Sequence, residues 1–425
     1  MHRLMSLLAI LAISTSGLAS DWYQFRGPTG QGYAESAKLP TEWSPTKNVT
    51  WRAAVPGLGW SSPVIVAGKV YLTTAVPKGA EKKPDQSLRA LCLDAKSGKP
   101  VWDVEVFLEN GTKAPGIHGK NSHASPTPIV IDGKVYVHFG HLGTACLNAA
   151  DGSTVWKNQS LSYSPIHGNG GSPILVGDKL IFSIDGGDKQ LVVALNASDG
   201  QVAWKTPRNA KPGKGFSFST PLLITVDGQE QLISAGSDVV MALDPRTGRE
   251  IWRVKYDGYS VVPKPLFGNG LLYICTGYDN PGLYAIRVDG KAKGDATATH
   301  VAWTVKKNSM PRNAGPLLIG DALYTVSDGG LVSCLDAATG QVRWDENLGR
   351  PHSSSPIYAN GLIYLLAEDG TGTVFKPGTS YNEVARNKFS EAGKPSKFLS
   401  LASYAVDGDA LFLRTAKALY RIEEK

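Results

Sequence analysis

One phrase returns five times along the chain, and this repeat constrains the fold more than any other feature. The copies are LCLDAKSGKPVW, CLNAADGSTVW, ALNASDGQVAW, ALDPRTGREIW and CLDAATGQVRW, ending at Trp102, Trp156, Trp204, Trp252 and Trp344. In each copy a Gly stands four residues before the Trp, and an Asp or Asn stands four residues before the Gly. Such regular copies predict an array of similar structural units that pack on one another.

Each copy closes a longer unit that reads as four short strands. A unit starts with small residues before a Pro, as in SSPVIV at Ser61 and STPLLI at Ser219, and an alternating apolar strand such as KVYLTTA follows. Four antiparallel strands in a unit of about 40–50 residues, with no helical period, are typical of a β-propeller blade. The Asp/Asn and Gly suit the last turn, and the Trp is predicted to pack on the next blade, burying roughly 150–250 Å².

The copies predict an eight-bladed β-propeller. Blades 1 to 6 end at Trp102, Trp156, Trp204, Trp252, Trp303 and Trp344. KAKGDATATH (291–300) lengthens the last turn of blade 5, and blade 7 starts at Ser353 but loses the repeat after Phe375. The C-terminal segment supplies three strands of an eighth blade, and NVTWRAAV, near residues 48–55, supplies its fourth. This pairing closes the ring without an exposed edge. We therefore predict an all-β fold with one domain over 21–425, and seven blades as the alternative.

The N-terminal 20 residues predict export. MHRLMSLLAILAISTSGLAS has Arg3, an apolar run over Leu4–Ile13 and small residues before Ser20, as in a cleaved secretory signal peptide. It has no lipid-attachment Cys, and no later apolar run is long enough to span a bilayer. We expect a periplasmic or secreted monomer. The net charge of +7 is spread along the chain, which argues against nucleic acid as a partner.

The four cysteines are predicted to be free. Cys92, Cys146 and Cys334 stand at the repeat position that Ala194 and Ala242 hold in other copies. This position favours a small buried side chain rather than a disulfide.

Propeller geometry divides the loops between two faces. Connections between blades, and the loops between the second and third strands of a blade, surround one mouth of the central channel. Most histidines of the mature chain map to this funnel face: His118, His123, His138, His141, His167 and His352. Only His300 maps elsewhere. Histidine suits proton transfer and metal ligation near neutral pH.

The same loops supply the candidate site residues. The candidates for ligand binding are Trp60, Asn121, His138, His141, Asn169, Tyr259, Lys264, Arg312 and Asn313. The candidates for catalysis are His123, His167, His352, Asp185 and Asp328. The cationic members favour an anionic ligand. No metal site is predicted, because His138-x-x-His141 supplies two ligands where three or four are needed.

The phrase A-x-D-x-x-x-G-x-x-x-W resembles the tryptophan-docking repeat of quinoproteins, the dehydrogenases that use pyrroloquinoline quinone (PQQ). It is also similar to the repeat of the PQQ-like propeller of the outer-membrane assembly factor BamB. The start DWYQFRGPTGQG resembles that of exported PQQ-like repeat proteins. For a quinoprotein, the resemblance implies PQQ and Ca²⁺ over the channel, with Asp185 or Asp328 as the base. The chain lacks the adjacent Cys pair of those dehydrogenases and the lipid-attachment Cys of BamB-type proteins.

Three functions stay open. The sequence favours a non-catalytic binding or scaffold module that holds a protein, a peptide or an anionic glycan on its funnel face, because it carries no complete catalytic signature. The second is a PQQ-dependent dehydrogenase of an alcohol or sugar, which the missing Cys pair disfavours. The third is a cofactor-free lyase or hydrolase of anionic glycans, with a His or Tyr as base and Lys or Arg at a uronate carboxylate. No cofactor is predicted.

Overall fold

The chain folds into eight antiparallel sheets that form the blades of a closed ring. The computed structural model describes residues 21–35, 37–389 and 399–424, so the predicted signal peptide, residues 1–20, lies outside the described residues. Eight blades confirm the predicted propeller and exclude the seven-blade alternative.

Two short strands precede the first complete blade, and each joins a blade formed by the C-terminal part of the chain. They are β1 (Tyr33–Ala34) and β2 (Val49–Ala54). Blades 1 and 2 contain β3 (Val64–Val66), β4 (Lys69–Lys78), β5 (Asp85–Asp94), β6 (Pro100–Glu109), β7 (Ile129–Ile131), β8 (Lys134–His138), β9 (Thr144–Asn148) and β10 (Thr154–Asn158). A 3₁₀ turn, Gly140–Leu142, lies between β8 and β9.

Blades 3 and 4 follow the same order from the hub outwards. Their strands are β11 (Ile174–Val176), β12 (Lys179–Asp185), β13 (Gln190–Asn196), β14 (Val202–Pro207), β15 (Leu222–Val226), β16 (Gln229–Gly236), β17 (Val239–Leu243) and β18 (Glu250–Lys255). Blade 5 and its insert contain β19 (Leu266–Gly268), β20 (Leu271–Cys275), β21 (Gly282–Arg287), β22 (Gly294–Asp295), α1 (Thr297–His300) and β23 (Val301–Lys306).

The last three blades complete the ring. Their strands are β24 (Leu317–Ile319), β25 (Ala322–Val326), β26 (Leu331–Asp336), β27 (Val342–Asn347), β28 (Ile357–Ala359), β29 (Leu362–Leu366), β30 (Gly372–Lys376), β31 (Asn382–Asn387), β32 (Ala405–Asp407), β33 (Ala410–Arg414) and β34 (Ala418–Ile422). β31 supplies the outer strand of blade 7 although the repeat phrase is absent there, and the ring of Tyr381 packs 5.9 Å from that of Trp344.

The predicted closing strand is confirmed. β2 pairs antiparallel with β34, with Trp51 opposite Arg421 and Ala54 opposite Ala418. Blade 8 therefore combines one N-terminal strand with three C-terminal strands, and its outer edge is formed by β2.

The repeated Trp docks each blade onto the next one. The indole N–H of Trp102 donates to the carbonyl oxygen of Ala149 in blade 2 at 2.9 Å, and that of Trp156 donates to Ala197 in blade 3 at 2.8 Å. The ring of Trp102 also covers Gly152, whose φ is +74° and where a Cβ would lie 2.9 Å from the ring. The Gly of the repeat phrase thus supplies both a left-handed turn and a flat seat for the preceding Trp.

Blade 4 departs from this pattern because of the insert in blade 5. Strand β22 pairs in parallel with β18, opposite Trp252. Trp252 is fully buried, and its indole N–H donates to Oε1 of Gln231 in its own blade at 2.8 Å. The insert therefore covers the outer edge of blade 4, where the sequence predicted only a longer turn.

All four cysteines are free and buried, as predicted. Burial raises the pKa of the Cys92 and Cys146 thiols to about 11, so these groups stay protonated at neutral pH.

The N-terminal segment, residues 21–34, crosses one end of the hub. Its backbone pairs with the inner strands of several blades: Trp22 with Ile65, and Tyr23 with Val130. At its other end, β1 pairs in parallel with β28, the inner strand of blade 7. The segment therefore forms a floor under the channel, and no pattern in the sequence predicts this.

Candidate functional site

A cavity of about 310 Å³ lies in the hub, between this floor and the loops that join successive blades. Phe25 of the N-terminal segment contributes to its floor, and Trp60, Phe216 and Tyr259 contribute to its walls. The volume is at the lower end of the range for small-molecule pockets.

A ring of hydroxyl groups surrounds this cavity, one from each of six blades. The hydroxyls stand at the repeat position before the Pro of the inner strand, or at its equivalent in blade 8. They are Ser62, Thr127, Ser172, Thr220, Ser355 and Ser403. All six are buried.

The hydroxyls are connected by hydrogen bonds that run from blade to blade. The backbone N–H of Ser62 donates to Oγ1 of Thr127, and that of Thr127 donates to Oγ of Ser172, both at 2.9 Å. The chain of bonds also crosses the closure, where the N–H of Ser403 donates to Oγ of Ser62 at 3.1 Å. Each hydroxyl therefore accepts a bond from the protein and keeps its own proton to donate. Among the described residues, none of the six donates that proton to a protein acceptor. We refer to these six residues as the hydroxyl ring.

The hydroxyl ring is interrupted at blades 5 and 6, where two cations take its place. Blade 5 carries Lys264 at the equivalent position, and its side chain is buried and lines the cavity. Blade 6 carries Gly315, and a Cβ there would clash with the guanidinium of Arg26, which reaches in from the floor. Arg26 donates to the carbonyl oxygen of Pro316 at 2.8 Å, but its Nε and Nη1 have no partner.

These two cations face no counter-charge in the part of the chain that the structure describes. Burial, with the nearby Arg26, lowers the pKa of Lys264 to about 7. Burial also lowers the pKa of Arg26 to about 10. Lys264 Nζ forms no hydrogen bond or ion pair with a described residue, and no carboxylate from those residues lines the cavity.

The mouth of the cavity is aromatic, with cations at its edge. The rings of His118 and His167 lie 5.5 Å apart, and Phe216 lies 5.2 Å from His167 and 5.5 Å from Tyr259. Lys214 Nζ lies 4.1 Å from the centre of the Tyr259 ring, within cation–π range. The mouth therefore offers flat apolar surface beside positive charge.

The structure brings part of the predicted site together in this cavity. The candidates that line it are Trp60, Asn121, His167, Tyr259, Lys264 and Asn313. Asn121 donates to the carbonyl oxygen of His167 at 2.9 Å, which holds two neighbouring loops together.

A second group of candidates forms a polar cluster beside the cavity. The buried carboxylate of Glu109 pairs with Nδ1 of His123, and its other oxygen lies 3.3 Å from Nε2 of His141. Asn169 lies 3.3 Å from Nδ1 of His141 and accepts the hydroxyl proton of Tyr163 at 2.8 Å. Burial alone would raise the pKa of Glu109, but the bonds to the two histidines lower it to about 2.

The histidines His138 and His352 lie in packed surroundings outside the cavity. His138 packs on Phe182 with ring centres 4.3 Å apart and bonds to Thr144 at 2.9 Å. Burial, with His141 nearby, lowers its pKa to about 3, so it is neutral at physiological pH. Burial also lowers the pKa of His352, whose Nδ1–H donates to the carbonyl oxygen of Arg350 at 2.7 Å.

The two predicted bases are each held by protein groups. Asp185 accepts two hydrogen bonds from Arg208, at 2.7 and 2.8 Å, and both side chains are fully buried. Asp328 accepts the side-chain N–H of Asn313 at 2.5 Å and the backbone N–H of Arg312 at 3.1 Å. Burial raises the pKa of Asp328. Neither carboxylate lines the cavity.

The residues do not fit the calcium of a quinoprotein site. Ca²⁺ takes six to eight oxygen ligands, several of them carboxylates. No group of three or more His, Cys, Asp or Glu that could hold a metal exists within the described ranges. Asp185 and Asp328 have their oxygens committed to Arg208, Asn313 and Arg312.

Sequence reasoning missed the hydroxyl ring, Arg26, Phe216 and Glu109. The hydroxyl ring had a readable signal, because a Ser or Thr precedes the Pro in most copies of the inner strand. Arg26 had none, since its position in the hub depends on how the N-terminal segment crosses the end of the channel.

The chain is similar throughout to a known propeller family. The family described as outer membrane protein assembly factor BamB matches residues 44–219, 188–310 and 292–422. The BamB of Shewanella oneidensis is 27% identical over 73% of this chain and 76% of its own length. The methanol dehydrogenase subunit 1 of Methylorubrum extorquens is 26% identical over 39% of this chain and only 27% of its own length.

A solved structure shows the same fold. The crystal structure of BamB from Moraxella catarrhalis matches with a TM-score of 0.60 over 89% of this chain and 97% of that chain. The sequence identity there is 14%, so this likeness bears on the architecture alone.

Proposed function

This chain belongs to the outer membrane protein assembly factor BamB family of PQQ-like propellers, and from that premise we propose that it is a non-catalytic scaffold module that binds a partner protein. The funnel face is the binding surface. The observation that carries this proposal is the run of aromatic rings at the cavity mouth, His118, His167, Phe216 and Tyr259, flanked by cations.

This surface has the composition of a protein-binding site. Aromatic side chains bring large contact area at low entropic cost, and aromatics and Arg are enriched where binding energy concentrates. Lys214 stacks on Tyr259, and Arg312 lies 5.7 Å from the centre of the Tyr278 ring. We therefore expect the partner to present a segment with apolar and acidic side chains, which steer to the positive rim.

The place of action is proposed to be the periplasm. The names of the relatives refer to outer-membrane assembly, and the sequence predicts export. Among the described residues, no helix is long and apolar enough to cross a bilayer.

Site-specific photo-cross-linking in the native cell tests the funnel face. A photoreactive amino acid replaces Lys214 at the mouth, and in a matched variant it replaces Lys96 in the turn between β5 and β6, on the opposite face. Both side chains are exposed, so they react equally with a neighbour. We expect a defined covalent adduct with one protein at position 214 and none at position 96.

Two results would contradict the proposal. Equal adducts at both positions would show contact without a preferred face, and absence of an adduct at position 214 would show that no protein reaches the mouth. Charge reversal with Lys214→Glu provides a second readout, because it should weaken capture of an acidic segment.

The dehydrogenase and glycan-cleaving activities stay predictions. Dye-linked oxidation of an alcohol after addition of PQQ and Ca²⁺ tests the first. Formation of an unsaturated product from uronate-containing polysaccharide tests the lyase form of the second. Turnover in either assay would replace the scaffold proposal.

A further inference from the structure

Hydrogen-bond donors converge on the hub without matching acceptors. The hydroxyl ring contributes protons that no described residue accepts, and Lys264 contributes an ammonium group in the same cavity. Arg26 adds two buried nitrogen atoms without partners. Buried polar groups are almost always hydrogen-bonded, so a concentration of unpaired donors needs an explanation.

The charge of this cavity is also unbalanced. Burial and the nearby Arg26 guanidinium lower the pKa of Lys264, and burial lowers the pKa of Arg26 although Tyr33 and the Cys275 thiol oppose this. Two carboxylates near the mouth are already paired, Glu368 with Lys120 at 2.7 Å and Asp279 with Lys214 at 3.2 Å, and Asp328 accepts hydrogen bonds from Asn313 and Arg312. A buried cation without a counter-ion is costly unless a partner of opposite charge binds.

The backbone of the hub leaves room for the two cations, because glycines stand next to both of them. A methyl group on Gly30 would clash with Lys264 Nζ, and one on Gly315 would clash with Arg26 Nη1. Two glycines therefore leave space for two cations at the positions where the hydroxyl ring is interrupted.

We propose that the hub cavity binds a small oxyanion-bearing molecule, whose carboxylate or phosphate group accepts hydrogen bonds from Lys264 and the hydroxyl ring. Arg26 stabilises the bound charge from the floor. Trp60 and Phe218 form the apolar wall against which the rest of the molecule packs. This inference goes beyond the proposed function and does not depend on it, because it rests on the hydroxyl ring, Lys264 and Arg26, whereas the proposed function rests on the aromatic rings at the mouth of the same cavity.

The chemistry of the donors defines the ligand class. Hydroxyl and ammonium donors form short, strong hydrogen bonds with anionic oxygen. A bound anion would return the Lys264 pKa, which burial and Arg26 lower to about 7, towards its ordinary value. The cavity of about 310 Å³ admits a molecule of benzoate size, not a polymer.

Isothermal titration calorimetry of the whole protein with four probes tests this site. The probes are acetate, benzoate, inorganic phosphate and benzamide, the last being the neutral analogue of benzoate. We expect saturable one-to-one binding of benzoate or phosphate and none of benzamide. Binding of carboxylates alone would show that the ligand bears a carboxylate, and binding of phosphate alone would show that it bears a phosphate group.

A pair of charge-removing variants locates the bound anion. Lys264→Met should weaken binding at least about tenfold, the loss expected for a charge-assisted hydrogen bond. Lys189→Met, which removes an exposed Lys on the same face but outside the cavity, should leave affinity unchanged. Circular dichroism and tryptophan fluorescence check that both variants fold.

Three outcomes would contradict the proposed anion site. These are equal affinity for benzoate and benzamide, affinity unaffected by Lys264→Met, or no saturable heat with any of the four probes. The comparison of benzoate with benzamide uses the unmodified protein, so it decides the question even if Lys264→Met does not fold. Absence of anion binding would leave the cross-linking result at position 214 unchanged, because cross-linking tests whether a protein contacts the mouth.

Discussion

Trp51 donates its indole N–H to the carbonyl oxygen of Ala95 at 3.1 Å and thereby fastens blade 8 to blade 1. The same ring covers Gly98, where a Cβ would lie 2.7 Å from it. Trp51 belongs to the N-terminal closing strand, so this contact joins the two ends of the chain through the seam of the ring. It is the same docking that Trp102 and Trp156 make further round the propeller.

Gly98→Ala should weaken this seam. The substitution places a methyl group against the Trp51 ring at a backbone position with φ +69°. Gly68→Ala is the matched control, since φ there is +71° and no atom lies within 4 Å of the added Cβ. We expect both to lose about 1–2 kcal/mol to backbone strain, and Gly98→Ala to lose about 1–3 kcal/mol more to overpacking. Urea unfolding curves measure the difference, and equal losses would show that the Trp seat contributes nothing.

The docking of the blades was predictable from sequence because it is local and repeated. The Gly and Trp of the repeat phrase recur with fixed spacing, so one physical explanation applies to the copies other than the one that ends at Trp252. The closing strand around Trp51 was predictable for a related reason: three C-terminal strands need a fourth, and an unpaired strand edge is unfavourable. The different environment of Trp252, whose indole N–H bonds to Gln231 in its own blade, was not predictable. It depends on how one irregular insert folds over blade 4.

The hub was predictable only in part. Lys264 and Trp60 were assigned to the funnel because their loops precede an inner strand. The partners that give these residues their chemistry come from distant segments: Arg26 lies 238 positions before Lys264 in the chain (264 − 26). Asp185 was predicted as a candidate base because its loop lies on the funnel face, and the sequence could not show that the side chain of Arg208 from the next connection reaches it.

Removing Arg208 should destabilise the fold strongly. Arg208→Met leaves the fully buried carboxylate of Asp185 without its partner, and loss of one member of a buried pair costs about 3–5 kcal/mol. Urea unfolding at neutral pH measures this loss. A loss below about 1 kcal/mol would mean that Asp185 is readily hydrated or protonated, which would return it to consideration as a reactive group.

The double variant Asp185→Leu, Arg208→Met separates the ion pair from the packing around it. Both charges are then absent, and apolar side chains fill the site, so we expect most of the lost stability to return. If the double variant is no more stable than Arg208→Met, the hydrogen bonds from Arg208 to Ser183 and Ser234 would account for the loss.

Glu109 should make the fold sensitive to acid. The pKa of this carboxyl is about 2 in the fold, against an ordinary value of 4.5, because His123 and His141 bond to its ionised form. A lowered folded pKa stabilises the protein above about pH 4.5, and the benefit is lost as the pH falls towards 2. Glu109→Gln should therefore reduce the free energy of unfolding at pH 7 by about 2–3 kcal/mol and by much less at pH 2.

Unfolding of Glu109→Gln across this pH range is compared with that of Glu105→Gln. Glu105 lies on the same strand, and its side chain is 34% exposed in an ion pair with Lys78. An exposed pair contributes about 0–1 kcal/mol, so the control should follow the unmodified protein closely. Parallel curves for the two variants would show that the histidines do not hold the Glu109 charge.

Lys264 should also make stability increase with pH, but in a window above neutral pH. Its pKa is about 7 in the fold, against an ordinary 10.5, because burial and Arg26 oppose its charge. Below pH 7 both folded and unfolded chains carry the proton, and the full penalty of a buried charge applies. Between pH 7 and 10.5 the unfolded chain holds more protons, so the free energy of unfolding rises with pH. Lys264→Met removes both the penalty and this slope.

We therefore expect Lys264→Met to be more stable than the unmodified protein at pH 6, on the order of 2–4 kcal/mol, with an advantage that shrinks towards pH 9. Unfolding is measured in buffers without carboxylate or phosphate, because a bound oxyanion would stabilise the unmodified protein and mask the effect. Groups that do not interact with Lys264 are common to both proteins and cancel in the difference. A difference that stays constant from pH 6 to 9 would show that the Lys264 amine keeps its ordinary pKa, and that the hub already contains a counter-charge.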